Sequence, residues 1–191
     1  MKKLLVLFSI ALAATDVAWA AEEATPEAIA KRQLDAFREL DWNQAAFYTH
    51  PKALAQLKAL FLPVALAGAT AKDNPTAKEM MRVVFGGKGA DELASTDPSD
   101  FFKLVLGGIS GATPDFKRAM SGMDIEVLGH VNEGESTAHV VYRLSRPIGE
   151  GGTSSKIAVT TVEKDDGTWK ALLNADFENV VRAITTRLQK P

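Results

Sequence analysis

The chain has 191 residues, no cysteine and nearly balanced charge, with 22 Lys and Arg against 24 Asp and Glu, for a formal net charge of −2. The lack of thiols excludes disulfides, thiol catalysis, cysteine-based zinc sites and iron–sulfur ligation. The lack of a basic run removes the electrostatic case for nucleic acid.

The chain opens with Lys2 and Lys3, an apolar run from Leu4 to Ala14 broken only by Ser9, and then Ala18-Trp19-Ala20. Basic start, apolar centre and small residues before a cut form the pattern of a secretory signal peptide. Residues 1–20 are therefore expected to be removed between Ala20 and Ala21, with residues 21–191 forming a single α+β domain in the periplasm or outside the cell. The run is shorter than the roughly 20 apolar residues that cross a bilayer. No later stretch reads as an uninterrupted span, so no membrane anchor is expected after cleavage.

Prolines punctuate the first half. Thr25-Pro26, Asn74-Pro75, Asp97-Pro98 and Thr113-Pro114 each set a capping residue before a proline at the first helical position. Glycines mark predicted helix ends at Gly86-Gly87, Gly107-Gly108 and Gly122. Between them, apolar residues recur at helical spacing: Ala30, Leu34 and Phe37; Leu54, Leu57 and Phe61; Met80, Met81, Val84 and Phe85; Phe101, Leu104 and Val105. The Met pair reads as core filler. In the stretch Asp41 to Leu57, Asp41 can cap a short helix through Phe47. His50 precedes Pro51, which pushes it out of the helical region. His50 thus marks the junction to a helix that starts at Pro51 and that Pro63 is expected to close; it is not read as a catalytic base.

The second half reads as four strands: Met123 to Val131, Ser136 to Ser145, Lys156 to Lys164 and Thr168 to Ala175. Asp166-Gly167 is a strong hairpin turn. The Gly-rich link from Arg146 to Ser155 reads as loose, and a final amphipathic helix spans Phe177 to Leu188. With Glu133-Gly134 as a two-residue turn, one face of the first hairpin carries Met123, Ile125, Val127, Val131, Ala138, Val140, Tyr142 and Leu144. The other carries Asp124, Glu126, His130, Thr137, His139 and Arg143. On that register His130 and His139 lie diagonally adjacent, without a third ligand or a metal motif, so they read as two surface histidines. In the closing hairpin Glu163 opposes Lys170 as a surface cross-strand pair and Lys164 opposes Trp169. Thr160, Val162, Trp169 and Ala171 then face inward.

Helices followed by a meander of strands is an α+β order, a helical N-terminal half packed on a curved four-stranded antiparallel sheet with a C-terminal helix. Two stretches, "DWNQAAFYTHPKALAQL" and "VEKDDGTWKALL", resemble the second-helix region and closing hairpin of the nuclear transport factor 2-like superfamily. That resemblance implies a cone-shaped fold with a pocket between sheet and helices. The chain departs from the pattern in a helical insertion from about Val64 to Gly122 and in the helix after the last strand. Isomerases, cyclases, dehydratases and binding modules share such a fold, so the site must decide between them. The inner face offers Tyr142, Thr160 and Trp169 as pocket residues, but no Asp, Glu or His to act as acid or base. Asp176 reads as a helix cap.

No catalytic residue, metal or cofactor is expected. The reading is an exported, non-catalytic binding or accessory module for a small apolar molecule or a protein partner. A small-molecule isomerase, dehydratase or cyclase is the alternative, and a homodimer through the sheet is the third.

Overall fold

The computed structural model describes residues 24–71, 74–112, 114–148 and 151–173. The predicted signal peptide with its Ala20–Ala21 cut, the Thr113 cap, Asp176 and the predicted C-terminal helix lie outside them. Within them the chain is α+β, with seven helices followed by a four-stranded antiparallel sheet of order β1-β2-β3-β4.

The predicted caps set the helix starts. Helix α1 (Pro26–Glu39) begins at Thr25, whose hydroxyl accepts the Ala28 N–H. Helix α2 (Trp42–Tyr48) begins at Asp41, whose carboxylate accepts the Asn43 and Gln44 N–H groups. Helix α3 (Pro51–Thr70) follows His50, and α4 (Pro75–Val84) is capped by Asn74. Helices α5 (Ala90–Ser95), α6 (Pro98–Ala112) and α7 (Pro114–Ser121) complete the half.

Three sequence expectations fail here. Pro63 does not close α3 but lies inside it. It sits on the exposed side, and the carbonyl it leaves unpaired belongs to exposed Ala59, where water can replace the lost N–H. Buried Val64, Ala65 and Gly68 carry the helix onward. The resulting 20-residue helix is, by length and composition, apolar enough to cross a membrane, contrary to the expectation of no later span; its buried side packs in the core. Gly107-Gly108 does not end a helix either, because α6 continues to Ala112. A Cβ on Gly108 would sit 2.4 Å from the Cα and carbonyl oxygen of Val84, so the glycine serves close contact between α4 and α6. Gly86-Gly87 does end α4: both have positive φ, and the Gly87 N–H bonds back to the Met81 carbonyl at 2.9 Å.

The strands are β1 (Asp124–Glu133), β2 (Thr137–Ile148), β3 (Gly152–Asp165) and β4 (Thr168–Ala171). The link expected to be loose is mostly strand, with Ile148 paired to Gly152. Pro147 is tolerated because β1 stops pairing at Ser145, so no ladder N–H is needed on that side. The closing hairpin has the predicted register, Glu163 opposite Lys170 and Lys164 opposite Trp169, around an Asp166-Gly167 turn with positive φ at both residues.

The first hairpin does not have its predicted register. Its turn is longer, so Glu133 pairs with Thr137 and His130 with Val140. Leu128 is then an extra residue between the Val127–Tyr142 and Gly129–Val141 pairs, a β-bulge at which Gly129 takes φ +147°. The face assignment holds for Ile125, Ala138, Val140 and Tyr142 and reverses past the bulge: Val131 is 65% exposed on the outer face, and His130 turns toward α1.

Two clusters make the core. One is helical and contains Leu54, Leu57, Phe61, Phe85, Leu93, Phe101, Phe102 and Val105. The other joins Ile29 and Ala30 of α1 to Ala138, Val140, Val162, Trp169 and Ala171 of the sheet. Helix α1 belongs to both and packs against all four strands.

Candidate functional site

The α2–α3 junction locks onto the sheet. The His50 ring Nδ1 accepts the Lys52 N–H at 3.1 Å, and the His50 N–H donates to the Ala171 carbonyl at 2.8 Å. His50 is thus the N-cap of α3, as a junction residue should be, with its ring nitrogen in the place a Ser or Asp oxygen commonly takes. Thr49 beside it is buried; its hydroxyl donates to the Ala45 carbonyl at 2.7 Å and accepts the Gln33 side-chain N–H at 2.8 Å. This closed chain of bonds fixes the Gln33 side chain on the sheet side of α1.

Below Gln33 lies a cavity of about 170 Å³. Its roof is Gln33, Leu34 and Phe37 of α1, and its floor is Ile125, Tyr142, Leu144 and Thr160 of the sheet. Met120 and Met123 close one end; Leu172 and Leu173, just past β4, close the other. Tyr142 and Thr160 are 1% and 3% exposed, so both are committed to this interior. A second cavity of about 310 Å³ shares Met123 and Leu144 with the first, and its remaining walls are Ser145, Arg146, Ser154 and Lys156. An apolar chamber with a few polar groups is the usual composition of a small-molecule site.

Of the three predicted pocket residues, the structure brings Tyr142 and Thr160 together in the cavity and places Trp169 elsewhere. Trp169 is buried, as its inward register requires, but it belongs to the cluster of Ile29, Ala30 and Val140 near the start of α1. The Lys164 ammonium stands over its ring at 5.1 Å. The expected Glu163–Lys170 ion pair is not formed. Glu163 pairs with Lys52, and Lys170 donates to the Phe47 carbonyl at 2.6 Å and covers the Phe47 ring at 4.1 Å. Both choices tie β4 and its neighbour to the helical layer, where the α2 C-terminus attracts a cation.

Among the described residues that line the first cavity none is Asp, Glu or His. His130, expected to point outward, is on the helix side of the sheet but does not reach the cavity; it pairs with Glu27 of α1. Burial pushes the Glu27 carboxyl upward. The His130 ring, the helix-start backbone and the Thr25 hydroxyl outweigh it and hold the carboxyl below its ordinary range. His139 stays on the outer face, bonded to Thr161 at 3.1 Å and Glu133 at 2.8 Å. The two histidines therefore lie on opposite faces and cannot share a metal.

Sequence reasoning missed Leu34, Phe37, Met120 and Met123 as cavity walls. Leu34 and Phe37 were legible as the core stripe of α1, but not the gap beneath them. Arg146 was hidden in the stretch read as a loose link, and Lys156 was read only as the first residue of a strand. Comparison with protein-family models, with curated proteins and with solved structures finds no match.

Proposed function

We propose that the protein is an exported, non-catalytic binding module that holds a small, largely apolar molecule between α1 and the helix-facing side of the sheet. The observation that supports this reading is the lining of the cavity: Leu34, Phe37, Ile125 and Leu144 supply apolar wall, and Gln33, Tyr142 and Thr160 supply polar points. Acid–base chemistry draws no support from that lining, which offers no carboxylate or imidazole among the described residues. The layering of helices over an antiparallel meander fits the resemblance to the cone-shaped superfamily, and export follows from the N-terminal pattern.

The neutral fluorescent probe N-phenyl-1-naphthylamine tests the cavity. It should bind with a rise in emission, and Leu34→Phe, which narrows the roof, should weaken it roughly tenfold, equivalent to about 1.4 kcal/mol. Absence of binding, or binding indifferent to Leu34→Phe, would remove the reading.

A second reading concerns the outer face. Val131, Ile157 and Val159 are 65%, 60% and 49% exposed there. An apolar stripe on an open sheet face supports a homodimer through the sheet. Sedimentation of the wild type as a dimer, and of Ile157→Lys as a monomer, is the expected result; a monomeric wild type would remove it.

A further inference from the structure

We infer that Met120 and Met123 are a reversible oxidation site, at which hydroperoxides convert one end of the cavity wall to sulfoxide and shut out apolar ligands. This rests on the binding reading above and adds its regulation. Met120 lies in the last turn of α7, and Met123 follows it just before β1. The Met123 N–H donates to the Met120 carbonyl at 3.1 Å, and this turn sets both side chains at the same end of the cavity. Met123 also lines the 310 Å³ cavity, so it stands with Leu144 where the two meet. Both methionines are only half-buried, so an oxidant in solution reaches them. Met80 and Met81 are placed differently: they are 9% and 6% exposed in the helical core, packed so tightly on α3 that a Cβ on Gly68 would sit 2.8 Å from the Met80 Cε. Met81 borders a hollow between α3 and α4, but its burial keeps it from solvent.

With no cysteine in the chain, the thioethers are its only sulfur nucleophiles. A thioether is a weak acceptor with no donor, so it suits an apolar wall. A hydroperoxide gives it one oxygen atom: the S–O bond forms as the O–O bond breaks, sulfur loses two electrons, and the peroxide leaves as water or an alcohol. The sulfoxide is polar and chiral where the thioether was flexible and apolar. Leu34, Phe37, Ile125 and Leu144, which share the wall, offer its oxygen no side-chain donor. An oxygen left against them is unpaired, and one that swings to water takes the wall with it. An oxygen that reached Gln33, Tyr142 or Thr160 would occupy a polar point the ligand needs. Each course weakens the hold on an apolar molecule, and methionine sulfoxide reductases reverse it.

The test treats the folded full chain with hydrogen peroxide, follows each methionine by peptide mass spectrometry, and titrates N-phenyl-1-naphthylamine before and after. Met120 and Met123 should gain oxygen at least about tenfold faster than Met80 and Met81, because oxidation follows exposure. Probe affinity should fall about tenfold, in line with the cost of burying an unpaired polar atom. It should return after treatment with reductases for both sulfoxide epimers. Met120→Leu/Met123→Leu should bind the probe with one affinity before and after peroxide. Met80→Leu/Met81→Leu should lose affinity on treatment, as the wild type does. If a leucine variant does not fold, reversal by the reductases in the wild type decides. Oxidised wild type that binds as tightly as untreated protein would overturn the oxidation site and leave the cavity reading standing. Equal oxidation of all four methionines, a loss the reductases do not restore, or a loss that persists in Met120→Leu/Met123→Leu would do the same. Untreated protein that does not bind the probe would overturn both.

Discussion

The helical core and the sheet core are built from different alphabets. The helical one fills its space with Phe61, Phe85, Phe101, Phe102 and several leucines, with ring contacts such as Phe37–Phe102 at 6.1 Å. The sheet core uses Ala30, Ala138 and Ala171 with Val140 and Val162, and a single indole, Trp169, supplies the bulk. At the start of α1, Ile29 and Ala30 join the small side chains of the strands in one buried cluster. Further along the helix Leu34 and Phe37 line a cavity with Ile125, Tyr142, Leu144 and Thr160. Close packing in one stretch of α1 and a gap in the next show that the site is an interval between two cores rather than a defect in either.

The sharpest way to break this comparison is to remove the largest side chain from each core. Trp169→Ala and Phe102→Ala should each cost about 3–5 kcal/mol in urea melts, the range for deleting a buried large aromatic. Because α1 is common to both clusters, each variant should still show one transition, with far-ultraviolet circular dichroism and fluorescence coinciding. Separate transitions in either variant would mean that the cores fold as two units.

A smaller effect separates two of the three glycines of α6. Gly108→Ala forces a methyl against the Val84 backbone and should cost about 1–3 kcal/mol, as overpacking does. Gly111→Ala, three residues on, meets open space and should stabilise by up to about 1 kcal/mol through helix propensity. Thermal melts in which both substitutions have the same sign would deny the close α4–α6 crossing.

The smallest effect is the pH dependence of the Glu27–His130 contact, which clips the sheet to the start of α1. The Glu27 carboxyl is held below its ordinary value, so its contribution is present above the unfolded carboxylate pKa, about 4.3. It is lost as pH falls through the lower folded value. Wild type should therefore melt above Glu27→Gln at neutral pH, with the gap closing in acid. A gap that is constant or widens on acidification would reverse the assignment.

The sequence announced its helix starts because proline and a capping oxygen solve the same orphan-donor problem at one place. It announced the closing hairpin because Asp166-Gly167 permits positive φ at both turn positions. Continuations were harder to read. Pro63 and Gly107-Gly108 look like stops in isolation, and only the solvent beside Ala59 and the approach of Val84 turn them into interior residues. For the site, Tyr142 and Thr160 followed from alternation alone. Trp169 had the right face but the wrong position along α1, which no local pattern encodes. The register of the first hairpin was missed, although an isolated glycine inside a strand, Gly129, is the known sign of a bulge.

A strand has a parity: odd and even positions answer to different solvents. Leu128 adds one to the count of β1 and nothing to β2, so the two ends of the hairpin obey opposite parities while sharing one ladder. The bulge therefore sets the sidedness of everything downstream in that strand. Deleting Leu128 would leave Gly129 opposite Val141 and His130 still toward α1 in an unbroken ladder; keeping Leu128 but pairing it regularly would instead turn Val131 to α1 and His130 outward, the alternation that the bare sequence suggests.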